Sequence, residues 1–325
     1  MKIAVIDDYQ NAFKTLAAAA RLKDHDIVSF QDTLKDTAKL AERLKDFDVL
    51  VLTQQRTPFP RALAEKLPKL KLISQTGRNT NHVDIEACTE LGIVVAAAGA
   101  GLPNPTAELT WALILASLRN IPLEVQKLKD GVWQTTVGTG LKGKTLGIYA
   151  YGRIGSLVAE VGRAFGMKVV CWGREGSLAK AKEAGFEVAA SREAFFANAD
   201  VISLHIPLNK ETRGIVKRAD LDLMKPGALI VNTSRAPLIE AGALEGALKA
   251  GRPGFGAIDV YEEEPVLGGN HPLLKMANVV CTPHLGYVER TTYESYFGSA
   301  ADNILGFVAG KPVNVMNPEA VGKRK

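Results

Sequence analysis

Short apolar runs alternate with amphipathic stretches through about the first hundred residues of the chain. In the stretches between the runs, such as 33–45 and 61–67, apolar positions recur at helical spacing. Strands that alternate with helices predict a parallel sheet covered by helices on both faces, and so an α/β fold. Each run has the length of a buried strand, and the runs lie at 3–6, 27–30, 49–52, 70–73 and 93–97.

A break rich in glycine and proline separates this first block from a second. It spans 99–105 and interrupts both periodicities. The strongly apolar helical pattern that follows, at 106–120, can be capped by Asn104 or Thr106. We interpret the break as a domain boundary, because a helix that is apolar all round needs protein on every side.

The second alternating block extends from about Lys142 to Leu285. A last helix is predicted at 292–308, and we expect it to return to the first domain. The predicted fold is α/β, with two Rossmann-like domains that are each a doubly wound parallel sheet, 1–103 plus 293–325 and 104–292. Strands of the second block are predicted at 146–149, 169–172, 201–206, 229–233, 255–260 and 279–282.

The stretch 145–175 combines a strand, a glycine turn, a helix and a second strand. The turn reads A-Y-G-R-I-G, so Gly152 and Gly155 match the later glycines of the dinucleotide pattern G-x-G-x-x-G and Ala150 replaces the first. Glycines let a pyrophosphate approach the backbone, and the N-terminus of the helix attracts its charge. The alternative is a strand-to-helix turn in which small residues serve packing alone.

A P-loop pattern, G-T-G-L-K-G-K-T, also occurs at 138–145. A P-loop needs a strand before it and a helix after it, but here the strand at 146–149 follows and the helix waits until Gly152. We therefore interpret these residues as a loop that leads into a strand. The sequence has no G-x-S-x-G, H-E-x-x-H or C-x-x-C motif and no carboxylate cluster of metal-binding spacing, so no metal site is predicted.

Composition narrows the class of protein. The chain is 46% apolar and 23% charged, as globular proteins are, and no apolar run approaches the ~20 residues of a membrane span. Three widely spaced cysteines, Cys88, Cys171 and Cys281, predict buried free thiols and a cytoplasmic location. The net charge of +5 is scattered apart from the basic tail 323–325, so we expect neither a nucleic-acid nor a membrane partner.

Chemically active side chains follow the predicted strands of the second block. His205 and His284 each come after a strand, and position alone fits a structural role as well as a catalytic one. Arg235 follows another strand, Asp259 ends the next, and Glu264 comes shortly after it. Because open α/β sheets bind ligands beyond the carboxyl ends of their strands, this set indicates hydride chemistry on a polar carbonyl group.

Five segments together carry a family resemblance: LGIYAYGRIG, LHIPLNKETRGIV, LMKPGALIVNTSRAPLIEAGAL, GAIDVYEEEP and NVVCTPHLGY. On these segments the chain resembles the D-isomer-specific 2-hydroxyacid dehydrogenases over essentially its whole length. The resemblance implies an N-terminal, flavodoxin-like domain that binds the substrate and a central domain that binds NAD or NADP. It also implies hydride transfer between the nicotinamide and a small 2-hydroxy or 2-oxo acid, by a homodimer paired through the cofactor domains.

The resemblance assigns roles residue by residue. The family's catalytic arginine corresponds to Arg235, its glutamate to Glu264, its histidine to His284 and the aspartate near its nicotinamide to Asp259. His284, held by Glu264, is then expected to donate a proton to the 2-oxo oxygen in reduction and to remove it in oxidation. A carboxylate beside an imidazole favours the protonated ring that reduction requires. Arg235 is expected to grip the substrate carboxylate.

The same resemblance implies which residues bind the small molecules. Substrate contacts are expected from Arg56, from Arg78 and Asn79 in the loop that begins at Gly77, and from Arg235. Cofactor contacts are expected from Tyr151, Gly152, Arg153, Ile154, Gly155, Gly173, Arg174, His205, Ile206, Pro207, Thr212, Thr233, Ser234, Arg235, Asp259, His284 and Gly286.

Three positions depart from the family pattern. Ala150 replaces the usual first glycine, and a positive φ there would cost about 1–2 kcal/mol. Asn79 replaces a common glycine and Arg78 precedes it, which alters the pocket and favours a larger or more anionic substrate. Gly173 replaces the ribose-binding aspartate and Arg174 follows it, so we predict that NADP(H) binds at least as well as NAD(H), although Glu175 offers the ribose a carboxylate.

The leading prediction is reduction of a small 2-oxo acid such as glyoxylate or hydroxypyruvate, and two alternatives stay open. Within the same class the alternative is 3-phosphoglycerate dehydrogenation. Formate oxidation is disfavoured, because that branch of the family has glutamine where Glu264 stands. From another class, the chain resembles the nicotinamide-sensing corepressors that share this fold and keep Arg235, Glu264 and His284 as well.

Overall fold

The chain divides into two compact units. The computed structural model describes residues 1–323, so the last two residues of the predicted first domain and of the basic tail lie outside the described residues. The terminal unit consists of Met1–Gly101 together with the chain from Glu289 onward, and the central unit is Leu102–Val288. The boundaries predicted from the sequence lie a few residues from these.

The terminal unit is built on a parallel five-stranded sheet. Its strands are β1 Lys2–Ile6, β2 Asp26–Ser29, β3 Val49–Leu52, β4 Leu72–Thr76 and β5 Val94–Ala98, and its first helices are α1 Ala17–Arg21, α2 Thr37–Leu44, α3 Arg61–Ala64 and α4 Ile85–Glu90. The strand order β2-β1-β3-β4-β5 is that of a flavodoxin-like sheet. The order reverses between β1 and β3, and ligands of such sheets bind beyond the carboxyl ends of the strands at that point.

The strands of this unit are buried because helices pack on both faces of the sheet. All four residues of β3 are at most 1% exposed, because the side chains on each face pack under helices. In α2 the buried residues are Leu40, Ala41 and Leu44, at helical spacing. The side chain of Asp36 accepts hydrogen bonds from the Ala38 and Lys39 amides, so α2 begins at Thr37 and not at the predicted residue 33.

The central unit is built on a parallel seven-stranded sheet. Its helices are α5 Pro103–Leu118, α6 Ile121–Lys129, α7 Arg153–Ala164, α8 Glu175–Glu183, α9 Arg192–Asn198, α10 Arg218–Leu223 and α11 Ala243–Lys249, and its strands are β6 Thr145–Tyr149, β7 Lys168–Trp172, β8 Glu187–Val188, β9 Val201–Leu204, β10 Leu229–Asn232, β11 Phe255–Ile258 and β12 Val279–Cys281. The strand order is β8-β7-β6-β9-β10-β11-β12. This is the order of a dinucleotide-binding sheet with one added strand, so the predicted fold class is confirmed.

The helix α5 begins three residues before the predicted position, at Pro103. Proline is tolerated there because the first turn of a helix makes no use of its amide N–H groups. The residue before the helix is Leu102, and no side chain caps it. The prediction that Asn104 or Thr106 caps this helix was therefore wrong.

The last helix, α12 Arg290–Val308, belongs to the terminal unit and packs against β4 and β5. Its buried face includes Tyr296 and Phe297, and the Phe297 ring meets the ring of Phe13 edge-on at 5.5 Å. Short 3-10 turns complete the structure at Phe13–Thr15, Ala236–Leu238, Pro272–Lys275 and Pro318–Ala320.

The segment after α12 pairs with the outer edge of β5. The amide of Ala97 donates to the carbonyl of Asn314 at 3.0 Å, and the amide of Met316 donates to the carbonyl of Val95 at 2.8 Å. The buried side chain of Asn317 also accepts the Val95 amide at 2.8 Å. Because these backbone groups of β5 are already hydrogen-bonded, they are not available to pair with a strand of another molecule.

The cysteines are all free thiols. Cys88 and Cys171 are buried, and burial raises the pKa of Cys171 to about 12. Cys281 is only half-buried, so the prediction of buried thiols is right for two of the three. Within residues 1–323, no helix is both long enough and apolar enough to span a bilayer.

Candidate active site

The turn after β6 holds the two glycines of the predicted dinucleotide site. A side chain on Gly155 would place its Cβ 2.4 Å from the carbonyl oxygen of Ala150, so packing alone requires that glycine. Gly152 differs, because in the described chain a Cβ there would meet nothing within 4 Å beyond its immediate neighbours, and its φ of −111° suits any residue. Open space over Gly152 argues against a turn shaped by packing alone and fits a bound group.

The N-terminus of α7 lies directly after this turn. The helical hydrogen bonds of α7 begin with the one from the amide of Ser156 to the carbonyl of Gly152, at 2.9 Å. The amides of Arg153, Ile154 and Gly155 therefore precede the hydrogen-bond ladder of the helix. Such amides, together with the helix dipole, bind phosphate groups, so these residues fit the pyrophosphate of a nicotinamide dinucleotide.

Ala150 adopts the left-handed conformation that a glycine would take, with φ at 77°. Its amide donates to the carbonyl of Trp172 at 2.8 Å, and its carbonyl accepts the amide of Gly152 at 3.0 Å. These bonds hold Ala150 in its left-handed conformation. The strain of about 1–2 kcal/mol expected for a positive φ therefore applies to this residue.

The turn after β7 places Gly173 and Arg174 beside the glycine turn. Gly173 has a φ of 153°, and a Cβ there would lie 3.4 Å from the Cα of Ala150. Arg174 is exposed and precedes the first turn of α8. The hydroxyl of Ser177 accepts the amide of Tyr151 at 2.7 Å, which ties the two turns together. Because residue 173 is glycine, this position offers no carboxylate to the ribose of a cofactor.

His205, predicted to contact the cofactor, follows β9. Its Nε2 and the hydroxyl of the buried Ser203 are 2.9 Å apart. Burial lowers the pKa of His205 to about 4, so its ring is neutral near pH 7. A neutral imidazole at this position can accept or donate one hydrogen bond but adds no charge to the site.

A side-chain hydrogen bond joins the loops after β9 and β10: the hydroxyl of Ser234 donates to the carbonyl of Ile206 at 2.7 Å. Within the loop after β9, the hydroxyl of Thr212 donates to the carbonyl of Pro207 at 2.7 Å. Thr233 bonds a threonine hydroxyl of α5 at 2.9 Å. These five predicted cofactor residues therefore lie in loops at the carboxyl edge of the central sheet.

Arg235 comes three residues after the end of β10 and is exposed. Its backbone is fixed by the buried Asn232, whose side-chain amide donates to the carbonyl of Arg235 at 3.0 Å. One guanidinium nitrogen, Nη1, donates to the carbonyl of Ser234 at 2.7 Å. A fixed backbone below an exposed guanidinium suits the binding of an anion.

Glu264 and His284 form a close pair. The distance from His284 Nδ1 to Glu264 Oε2 is 2.7 Å, and the two side chains are only 16% and 19% exposed. The other oxygen of Glu264 accepts the amide of Tyr261 at 3.0 Å. His284 itself has a φ of 53°, another left-handed position. Such strain is tolerated where the surrounding structure fixes the residue, and it is common at functional sites.

Asp259 fixes the loop that carries His284. This carboxylate is 0% exposed, and it accepts the amides of Leu285 at 2.7 Å and Gly286 at 3.0 Å and the hydroxyl of Thr282 at 2.6 Å. Burial raises its pKa, while the hydrogen bonds and the charge of His284 act in the opposite direction. The carboxylate therefore holds the side chain of Thr282 before His284 and the backbone directly after His284.

The three predicted catalytic residues share one edge of the central sheet. Arg235 follows β10 and His284 follows β12, and both strands pair with β11, which ends just before Asp259. Since the strands are parallel, their carboxyl ends meet at the same edge. Within the described part of the chain, no group of three or more His, Cys, Asp or Glu side chains is placed to hold a metal ion.

The predicted substrate residues of the terminal unit also lie at a carboxyl edge, that of the five-stranded sheet. Arg56 follows β3 and is half-buried, while Arg78 and Asn79 follow β4 and are exposed. Gly77 begins this loop with a φ of 89°, and its amide donates to the carbonyl of Ala98 at 2.7 Å. The loop therefore turns directly at the end of β4.

Sequence reasoning missed three residues near these loops. The ring of Tyr287 meets the ring of His284 edge-on at 5.6 Å. Its position, three residues after the predicted catalytic histidine, could have identified it from the sequence. Tyr296 lies against the loops of Gly77 and Gly99, where a Cβ on either glycine would come within 4 Å of its ring. Ser177 carries no distinguishing pattern, and nothing in the sequence links Tyr296 to loops so distant along the chain.

Proteins of known family resemble this chain in sequence. Residues 111–286 match the family described as D-isomer specific 2-hydroxyacid dehydrogenase, NAD binding domain. A glyoxylate reductase of Aeropyrum pernix is 39% identical over 273 residues, which are 81% of this chain and 81% of that protein. A D-3-phosphoglycerate dehydrogenase of Methanocaldococcus jannaschii is 39% identical over 295 residues, 88% of this chain and 56% of that protein.

A solved structure extends the likeness to nearly all of the chain. An oxidoreductase from Ralstonia solanacearum is 51% identical, with a TM-score of 0.94 over 99% of this chain and 98% of that one. The family resemblance carried by the five sequence segments is thereby confirmed. The chain belongs to the D-isomer-specific 2-hydroxyacid dehydrogenases, oxidoreductases that use a nicotinamide cofactor.

Proposed function

We propose that the protein reduces a small 2-oxo acid, such as glyoxylate or hydroxypyruvate, with His284 as the proton donor. The observation that supports this most is the 2.7 Å contact between His284 Nδ1 and Glu264. Because Nδ1–H donates to the carboxylate, Nε2 is the nitrogen that exchanges a proton with the substrate. In reduction it donates a proton to the 2-oxo oxygen, and in oxidation the neutral ring removes the proton of the hydroxyl group.

Arg235 binds the substrate carboxylate in this proposal. Its planar guanidinium can form two parallel hydrogen bonds to a carboxylate, and its charge polarises the neighbouring carbonyl group. The nicotinamide, when bound, supplies or accepts the hydride. Arg56, Arg78 and Asn79 are proposed to contact the rest of the substrate, and Asp259 keeps His284 in place.

The test is turnover of a panel of 2-oxo acids, followed as loss of the absorbance of the reduced cofactor. We expect measurable turnover of glyoxylate or hydroxypyruvate by the wild-type protein and its loss in His284→Ala. If no acid is turned over while the cofactor still binds, the alternative of a nicotinamide-sensing binding protein is favoured.

A second candidate reaction is oxidation of 3-phosphoglycerate. The Methanocaldococcus jannaschii relative, which carries that name, aligns with 88% of this chain. The exposed Arg78, at the start of the predicted substrate loop, would suit a phosphate group. Measuring kcat/KM for 3-phosphoglycerate beside those of the 2-oxo acids separates the two candidates.

NADP(H) is proposed to bind at least as well as NAD(H). Position 173 carries no carboxylate to repel a 2′-phosphate, and the neighbouring Arg174 is exposed and can receive one. The comparison of kcat/KM for NADH and NADPH tests this, and a strong preference for NADH would overturn it.

We further propose a cytoplasmic homodimer paired through the central unit. Apolar side chains are exposed on α6 and just beyond it, including Leu128 at 58% and Trp133 at 73% exposure. Clusters of this kind mark protein interfaces. The thiols of Cys88 and Cys171, buried and free, suit a reducing compartment. Sedimentation of the purified protein, compared with a Trp133→Ser variant, tests the dimer.

A further inference from the structure

Tyr287 lies against the imidazole of His284, in the loop between β12 and α12. The two ring centroids are 5.6 Å apart and the ring planes meet at 76°. Aromatic rings prefer such edge-on contacts, with centroids about 4.5–7 Å apart. Both residues are half-buried. His284 therefore meets the ring of Tyr287 as well as the carboxylate of Glu264.

The hydrogen bond to Glu264 alone does not fix the direction of the Nε2 atom of His284. It holds the imidazole at a single atom, Nδ1, at 2.7 Å from the carboxylate. The torsion that turns a histidine ring has broad minima, and a hydrogen bond weakens steeply only below an angle of about 120°. A turn of the ring within these limits moves Nε2, so a second contact is needed to hold that atom in one direction.

The ring of Tyr287 provides this second contact. An aromatic ring packed edge-on against an imidazole resists rotation of the imidazole, because rotation would break the contact or produce a clash. Glu264 and Tyr287 together thus restrict the ring of His284 more than either does alone.

The backbone is fixed on each side of Tyr287. The carbonyl of Gly286, the preceding residue, accepts the hydroxyl of Thr106 at 2.8 Å. The amide of Val288, the following residue, donates to the carbonyl of Leu285 at 2.9 Å. The tyrosine is therefore carried by a hydrogen-bonded turn of the central unit, so its ring forms a fixed wall beside the imidazole.

A second group of a carboxylate, a histidine and a tyrosine in the central unit lacks a nitrogen for such a role. The ring of Tyr261 meets that of His271 edge-on at 4.9 Å, and Nε2 of His271 lies 3.0 Å from Glu262. Nδ1 of His271 accepts the amide of Leu273 at 3.3 Å, so both of its nitrogens are engaged. Among the described residues, Nε2 of His284 has no hydrogen-bond partner. The aromatic contact at His284 therefore holds a ring that keeps one nitrogen for a ligand.

We propose that Tyr287 is a positioning residue, whose ring holds the imidazole of His284 so that Nε2 faces the 2-oxo carbonyl group of the substrate. This inference rests on the proposed function, in which His284 donates the proton. Tyr287 acts through the imidazole and not on the binding of substrate or cofactor. Its loss should therefore lower the rate of the reaction and leave both affinities unchanged.

The test compares Tyr287→Leu, which removes the aromatic ring, with Tyr287→Phe, which keeps it. In Tyr287→Leu we expect kcat for the best 2-oxo acid to fall about tenfold, the weight of one edge-on ring contact. KM for the acid and the Kd of the reduced cofactor should stay unchanged. Tyr287→Phe should recover most of the lost rate, because the contact is made by the ring and not by the hydroxyl.

His271→Ala is the matched control. It also removes a histidine that contacts a tyrosine and a glutamate of the central unit, Tyr261 and Glu262. We expect its kcat to equal that of the wild type. Thermal unfolding of all the variants shows whether a loss of rate reflects misfolding.

The proposal is overturned if Tyr287→Phe loses as much rate as Tyr287→Leu, or if His271→Ala does. An unchanged kcat in Tyr287→Leu would also overturn it. So would a rise in KM or in the cofactor Kd without a fall in kcat, since Tyr287 would then bind a ligand directly.

If the wild type turns over no 2-oxo acid, the proposed function fails, and the ring of His284 is observed directly. NMR of protein with isotope-labelled histidine rings shows the Nδ1–H proton that bonds Glu264, assigned by its absence in His284→Ala. We expect this signal in the wild type and in Tyr287→Phe. It should be lost by exchange with solvent in Tyr287→Leu, because a ring free to turn breaks the hydrogen bond more often. A signal that persists in Tyr287→Leu, or is absent from the wild type, would contradict positioning by Tyr287.

Discussion

The contact between Glu264 and His284 can be tested by a single substitution. Glu264→Gln changes one oxygen to a nitrogen and removes the negative charge, so the side chain keeps its size. In the native protein both carboxylate oxygens accept hydrogen bonds, one from His284 and one from the amide of Tyr261. Glutamine has one acceptor oxygen, so one of these two donors must lose its partner.

The size of the effect follows from the geometry. The pair is 2.7 Å apart and its side chains are less than one-fifth exposed, at 16% and 19%, so solvent screens it only partly. A hydrogen bond to a charged group contributes about 1.5–3 kcal/mol. At 1.36 kcal/mol for each factor of ten, we expect kcat/KM for reduction near pH 7 to fall about 10- to 100-fold.

The assay is kcat/KM for the best 2-oxo acid near pH 7, measured beside the Kd of the reduced cofactor. Reduction requires the proton on His284, and Glu264 stabilises the protonated ring, so kcat/KM should fall in Glu264→Gln. The Kd of the cofactor should stay unchanged, because the substitution acts on the proton donor.

Glu262→Gln provides the matched control. Glu262 also pairs with a histidine, His271, at 3.0 Å, but its side chain is 61% exposed. We expect this variant to keep the wild-type kcat/KM. An unchanged kcat/KM in Glu264→Gln, or an equal loss in Glu262→Gln, would refute the reasoning. A loss of kcat/KM that is matched by a loss of cofactor binding would show that the glutamate only supports the fold.

Three further predictions concern the cofactor half of the site. Ala150→Gly removes the strain of a left-handed alanine but increases the conformational entropy of the unfolded chain. The free energy of unfolding in urea should therefore rise by up to about 1 kcal/mol, and a fall would contradict the strain at Ala150. Arg174→Ala should lower kcat/KM for NADPH about tenfold and leave that for NADH unchanged, and equal losses would argue for a structural role. Burial lowers the pKa of His205 from 6.5 to about 4, so in this window the unfolded chain binds a proton that the native protein does not. Stability should therefore fall as pH falls through the window, by up to about 3 kcal/mol, and His205→Gln should flatten this slope in urea unfolding. An unchanged slope would show that other groups cause it.

The sequence predicted the strands well, because burial on both faces leaves an unbroken apolar run. β3 was predicted with the bounds that the structure shows, and the predicted catalytic residues follow β10, β11 and β12. The order of residues along the chain was enough to place Arg235 and His284 at the same edge, since parallel strands share their direction. The contact between Glu264 and His284 came from the family resemblance.

Other features depend on distant parts of the chain and left no local pattern. A polar residue that follows a strand has the same local sequence pattern whether it is exposed or buried. The burial of Asp7, which follows β1 and is 2% exposed, could therefore not be predicted from the sequence. Tyr296 approaches Gly77 and Gly99 only because α12 packs against β4 and β5. The two residues of β8 are too few to form a recognisable run, and their strand exists because β7 offers them a partner.

The return of α12 to the terminal unit has a consequence for protein synthesis. When the ribosome has translated as far as Val288, the nascent chain contains every residue of the central unit. The terminal unit at that moment lacks α12 and the segment that pairs with β5, so the faces of β4 and β5 that α12 covers remain open to solvent. Domains generally fold as units once their residues are available. The residues of β1 to β5, although they precede the central unit along the chain, are therefore among the last to complete their fold.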